Sequence, residues 1–228
     1  MRHGGLVVTA LMAVAVGGSA AQTQTPYTIA FASFAPLNAE IFVAAADGTG
    51  ATPFVASPAE DWNASFSRDG RWIVFTSTRN GSADLYRAHP DGSALERLTD
   101  DPAFDDQGAL SPDGRRLAFV STRGGQADVW TLDLQTRKAA RLTHEAGGNF
   151  RPAWSPDGAW IAFATGRSAF RDEMALHPHN PQSYGDIAVI KPDGSELQVL
   201  TDNPWEDSTP RWAPAPAAGT TTASRRSR

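Results

Sequence analysis

Acidic side chains recur at one landmark in this sequence. Asp61, Asp105, Asn149 and Asp207 each open a stretch that runs into an apolar segment, and Glu60, Asp100, Asp101, Asp106, Glu145, Asp202 and Glu206 lie beside them. Oxygen donors gathered this way suit two kinds of chemistry. They can hold a divalent cation, or they can draw in a basic polypeptide segment through their combined field. The plainer alternative is that each carboxylate caps a turn in its own unit and the repeat has copied that role. A second cluster, His177-Pro178-His179-Asn180, places two imidazoles near Asp172 and Glu173. Zinc takes three or four ligands, so one pair is a weak metal signal. The prolines on either side describe an extended surface loop.

Signatures of catalysis are missing. There is no G-x-S-x-G, H-E-x-x-H or G-x-x-x-x-G-K-[ST], and with no cysteine the chain has neither a thiol nucleophile nor a disulfide. No catalytic residue is assigned, and a binding role is expected, with no cofactor beyond a divalent cation at the acidic landmark. The competing expectation is a lyase or hydrolase that uses histidines, His144 among them, with the neighbouring acids.

The elements that position these residues repeat. Ser67-Arg68-Asp69-Gly70, Ser111-Pro112-Asp113-Gly114 and Ser155-Pro156-Asp157-Gly158 are spaced 44 residues apart. Each precedes an apolar run: Trp72 to Phe75, Leu117 to Val120, Trp160 to Phe163. Further landmarks keep the step: Asp84-Leu85-Tyr86 with Asp128-Val129-Trp130, and Arg97-Leu98-Thr99 with Arg141-Leu142-Thr143 and Val199-Leu200-Thr201. The register also reaches back to Ile29–Ser33 and Glu40-Ile41-Phe42. Before Asp186-Ile187-Ala188 it is stretched by 14 residues, through the insertion Ser168 to Pro181.

Short runs rich in Val, Ile, Phe and Trp, bounded by Asp-Gly turns, read as strands. Four strands per unit, repeated, predict an all-β propeller of about four blades, each of four antiparallel strands. The chain begins that pattern at a second strand (Ile29 to Ser33) and ends it at a first strand (Thr209 to Trp212). Pairing the two would complete a blade and close the ring, removing sheet edges prone to aggregation. In such a ring the acidic landmark would surround one mouth of the central channel, with the insertion on the same face. Arg79 with Asp84, and Arg123 with Asp128, are expected ion pairs within a blade. Trp62, Trp72, Trp130, Trp154, Trp160 and Trp212 are expected to fill the seams between blades.

Both ends lie outside this pattern. Arg2 and His3, the apolar run Leu6 to Val16 and the small residues Gly17 to Ala21 read as a signal peptide over residues 1–21. Residues 214–228 read as a disordered tail of low complexity. A periplasmic or secreted protein without a membrane span in its mature chain is expected. The net charge of −5 gives no basic face for nucleic acid.

The string P-x-W-S-P-D-G-x-x-I-A-F at Arg151 to Phe163, followed by Thr/Gly-Arg, Asp-Ile, Asp-Gly and Leu-Thr landmarks, resembles the propeller repeats of the TolB family of periplasmic proteins. The resemblance covers residues 27–213. It implies a propeller topology and a protein or peptide partner at the cell envelope, and the acidic landmark suits basic segments in that partner.

Overall fold

The computed structural model describes residues 27–34, 38–166, 185–202 and 207–213. The signal-peptide segment, the 214–228 tail and the His177/His179 loop lie outside them. Among the described residues every regular element is a strand, and no helix is long and apolar enough to cross a membrane.

Fifteen strands among the described residues form four antiparallel sheets. Blade 1 holds β1 (Thr28–Phe34), β2 (Ala39–Ala45) and β3 (Thr52–Pro53). Blade 2 holds β4 (Asp61–Phe66), β5 (Ile73–Asn80), β6 (Ser82–Ala88) and β7 (Glu96–Arg97). Blade 3 holds β8 (Asp105–Leu110), β9 (Arg116–Ser121), β10 (Asp128–Asp133) and β11 (Ala139–Arg141). Blade 4 holds β12 (Asn149–Trp154), β13 (Ile161–Thr165), β14 (Asp186–Ile190) and β15 (Gln198–Val199). Each sheet runs in sequence order, so strands that follow one another in the chain pair antiparallel within a blade.

The S-x-D-G tetrapeptides join the first two strands of blades 2 to 4. In each, the Ser hydroxyl donates to the Asp carboxylate two residues on, at 2.5–2.7 Å, and accepts the N–H of Trp72, Arg116 or Trp160 at 2.9 Å. Gly70, Gly114 and Gly158 take φ of +69°, +70° and +71°, a region glycine enters without steric cost.

The core lies between blades, where facing sheets bury their side chains against one another. Ile41 and Phe54 of blade 1 meet Ile73, Phe75, Tyr86 and Ala88 of blade 2. Val74, Leu85 and Leu98 meet Leu117, Phe119 and Leu132. Ala118, Val129 and Leu142 meet Trp154, Ile161, Phe163 and Ala188. Every seam therefore joins the back of one blade to the front of the next, using the same repeat positions.

The two outer faces break this rule. Ile73, Leu117 and Ile161 are fully buried, as are Phe75, Phe119 and Phe163, whereas their blade 1 counterparts Ile29 and Phe31 are each 40% exposed. At the other end, Phe54, Leu98 and Leu142 are buried but their counterpart Leu200 is 57% exposed. The expected ladder between Thr209–Trp212 and Ile29–Ser33 is absent among the described residues. Residues 207–213 lie on blade 4 instead. The Asp207 N–H donates to Gly185 O at 2.7 Å, and Trp212 Nε1 donates to Ala153 O at 2.9 Å. This repeats the way β12 sits on blade 3, where Asn149 N–H donates to Ala127 O and Trp154 Nε1 to Ala109 O at 3.0 Å. The segment thus sits where the inner strand of a fifth blade would lie.

Candidate functional site

The inner strands β4, β8 and β12 each carry a β-bulge at the same repeat position. Asn63, Gln107, Arg151 and Thr209 have φ between +52° and +56°, a conformation uncommon for residues other than glycine. A bulge re-aims the side chains of its strand. Here it joins neighbouring blades through polar groups. Asn63 Nδ2 donates to both oxygens of Asp106, at 2.9 and 3.0 Å, Thr76 Oγ1 donates to Asp106 at 2.6 Å, and the Arg151 N–H donates to Gln107 Oε1 at 2.7 Å. Burial pushes the Asp106 carboxyl up, against the opposing pull of the Asn63 and Thr76 bonds.

Between these strands and residues 207–213 lies a cavity of about 630 Å³. Trp154, Trp212, Phe66 and Leu110 supply apolar wall, and the charged groups in the lining are Arg68, Arg151 and Arg211. Burial pulls the Arg151 guanidinium below its usual value; Asp106 opposes that shift and Arg211 adds to it. Gln107 lines the same space, and its Nε2, though buried, has no hydrogen-bond partner among the described residues. Arg68 stands where the other units have Pro112 and Pro156. Its Nη1 donates to Pro156 O at 2.7 Å, crossing from blade 2 to blade 4 on the S-x-D-G side. Among the described residues the charged lining is basic.

The acidic landmark takes a different place from the one expected. Asp61 and Asp105 are completely buried and Asn149 nearly so. Arg79 Nη2 reaches Asp61 at 2.9 Å and Arg123 Nη2 reaches Asp105 at 2.6 Å. Each arginine also lies over aromatic rings of its own blade: Arg79 over Phe75 and Tyr86, Arg123 over Phe119 and Trp130. Asn149 Nδ2 donates to Asp128 at 3.2 Å, and Asp207 is half-buried with partners of its own. Burial pushes Asp61 up and Asp105 up to about 6, while the serine and arginine contacts pull both down. Asp61 and Asp105 are thus sealed beneath arginines of their own blades and are not open to solvent. Exposed acid remains at Asp100, Glu145 and Asp202 in the loops ahead of the inner strands.

The pairings of Arg79 with Asp84 and Arg123 with Asp128 are corrected in the same way. Arg97 takes Asp84 at 2.7 Å and Arg141 takes Asp128 at 2.6 Å. Ser77 stands opposite both Asp61 and Asp84, so the second strand has an acid on either side. Its arginine turns to the inner one, and the outer strand's arginine takes the other. Of the histidines, His144 is exposed in a loop and His89 packs against Trp72 at 4.2 Å. The described residues contain no group of three or more His, Asp or Glu side chains placed to hold a metal ion. Sequence reasoning missed the basic cavity. Its one available signal was Arg151 and Arg211, two positions apart in the repeat register of equivalent segments.

Antiparallel sheets packed front to back about a cavity lined by their inner strands define a β-propeller, here an arc of four blades. Part of the arc matches a family model: that of the TolB beta propeller domain, over residues 102–174. The fold is similar to that of TolB from Acinetobacter baumannii, with a TM-score of 0.66 and 25% identity, over 82% of this chain and 44% of that one. It is equally similar to a protein from Agrobacterium tumefaciens assigned as TolB, with a TM-score of 0.66 and 22% identity, over 81% of this chain and 66% of that one. A puromycin-hydrolysing peptidase from Mycobacterium tuberculosis shares the fold more distantly, with a TM-score of 0.51 and 16% identity over 71% of this chain and 24% of that one. The chain thus spans less than two thirds of the length of these proteins. No curated protein sequence matches it.

Proposed function

We propose that this chain is a non-enzymatic binding module of the cell envelope, exported to the periplasm or beyond, that takes a partner polypeptide into its central cavity. One observation carries the reading: among the described residues the cavity's charged lining is all arginine, and the buried Gln107 Nε2 beside them lacks an acceptor. Carboxylates in an extended segment would be drawn by the field of the arginines and would accept from Gln107 Nε2. Trp154 and Trp212 would pack the apolar part of such a segment. The partner chemistry is therefore acidic inside the cavity, opposite to the basic segment expected from the sequence. A basic stretch would be left to the rim at Asp100, Glu145 and Asp202. The TolB-type repeats and the signal-peptide pattern support the envelope location.

The test is tryptophan fluorescence during titration with a short Asp/Glu-rich peptide and with its Lys-rich counterpart, at two salt concentrations. The acidic peptide should bind and weaken as salt rises, because charge attraction is screened over about 10 Å at 0.1 M. Arg151→Gln with Arg211→Gln should cut its affinity about tenfold or more. Equal binding of the lysine peptide would sink the reading.

A further inference from the structure

Blade 1 and residues 207–213 are two parts of one repeat unit, held at opposite ends of the arc. Blade 1 has three strands among the described residues, and β1 is its inner edge. The 207–213 segment has at Thr209 the positive φ found at the bulge of each inner strand, and an inner strand's contacts with the blade before it, yet no strand pairs with it among the described residues. The register it would adopt on β1 is fixed by three precedents. Asp61 faces Ser77, Asp105 faces Ser121 and Asn149 faces Thr165. By the same step, Asp207 faces Ser33 and Trp212 faces Ile29.

The uncovered surfaces match in the same sense. The front of blade 1 exposes Ile29 and Phe31, and the back of blade 4 exposes Leu200. In all three formed seams these positions are buried against one another. The surface that covers a front is a blade back with an inner strand laid across it, and each copy of this chain carries that surface at its other end.

We infer that a second copy of this chain covers both open faces. Residues 207–213 of each copy serve as the inner strand of the other copy's blade 1, and the blade 4 back of each packs on the other's Ile29 and Phe31. The contact is front to back, so it occurs twice around a two-fold axis and closes a ring of two arcs. Eight blades lies within the range propellers adopt. A front-to-back contact whose rotation does not close builds an open filament instead, so mass distinguishes the two.

The chain has no cysteine, which makes disulfide trapping unambiguous. The variants Ser33→Cys and Asp207→Cys are made singly in the full chain, purified after export, mixed and oxidised. A covalent pair containing one of each is expected, with light scattering of the parent protein giving twice the chain mass. Asp47→Cys, exposed in the turn after β2, replaces Ser33→Cys as the out-of-register control and should trap nothing. Phe31→Asp should shift the mass to a single chain while keeping the β-sheet circular dichroism. If that variant fails to fold, Leu200→Asp at the opposite face provides the same reading. A single-chain mass for the parent, together with an intrachain disulfide in the Ser33→Cys/Asp207→Cys double variant and no trapped pair in the mixture, would overturn the inference in favour of closure within one copy. Masses above two chains would overturn the closed pair, and a dimer that traps no disulfide would overturn the strand exchange.

Discussion

The middle of the arc and its two ends are built from the same residues and experience different surroundings. Phe119 is enclosed by blades 2 and 3, while Phe31, at the same repeat position, is 40% exposed. Both sit in a second strand with like neighbours: Phe31 stacks on Phe42 at 5.7 Å much as Phe75 stacks on Tyr86 at 5.8 Å. The blade is therefore complete as a local object, and what differs is the sheet beyond it. In a propeller, burial belongs to the seam and not to the blade, so stability is concentrated in the three formed seams.

The largest effect expected from this comparison is at those seams. Phe119→Ala removes a fully buried ring and should cost about 3–5 kcal/mol. Phe31→Ala should cost about 1 kcal/mol or less, measured by denaturant unfolding at dilutions where copies are apart. Equal losses would mean that the front of blade 1 is covered within a single chain.

Ion pairs follow the same contrast on a smaller scale. Asp61→Ala strips the buried partner from Arg79 and should cost about 3 kcal/mol, as broken buried pairs do. Arg71→Ala removes an arginine whose pair with Asp69 is exposed on both sides, and should cost under about 1 kcal/mol. Thermal melts of the two variants side by side check this. A harmless Asp61→Ala would return that carboxylate to the list of groups available for binding.

The smallest effect is a pH slope. Burial holds the Asp105 carboxyl at about 6 in the folded chain, above its unfolded value near 3.9. The folded state therefore binds more protons between those values, and this group's contribution to stability falls as pH rises through about 6. Relative to Asp105→Asn, the parent protein should gain stability as pH is lowered from 7 to 5, by at most about 1.4 kcal/mol per pH unit. Parallel stability curves for the two proteins would show that Asp105 stays charged throughout.

Much of the architecture was legible in the sequence because it is local. The S-x-D-G turns are fixed by a Ser hydroxyl, an Asp carboxylate two residues on and a glycine at positive φ. The apolar runs between them alternate at strand period, so strands and hairpins follow from neighbours in the chain. The acidic landmark was legible only as a spacing. Whether Asp61 and Asp105 point to solvent or to arginine depends on the bend of Arg79 and Arg123 across two strands, and an 18-residue separation does not reveal that. The cavity was less legible still. Its lining comes from four segments, and Arg68 spans it to a residue 88 positions away.

The sequence by itself determined the repeat, its four-strand unit and the residues that make each turn, because turn chemistry and strand alternation are short-range. It also marked Thr209–Trp212 as an inner strand, through the same letters that make Trp154 one. Which blade that strand joins, which carboxylates are sealed beneath arginines and what charge the interior carries were decided only by the tertiary structure. Those outcomes depend on how the sheets curve and meet, and identical blade positions are buried or exposed according to whether a neighbouring sheet is there.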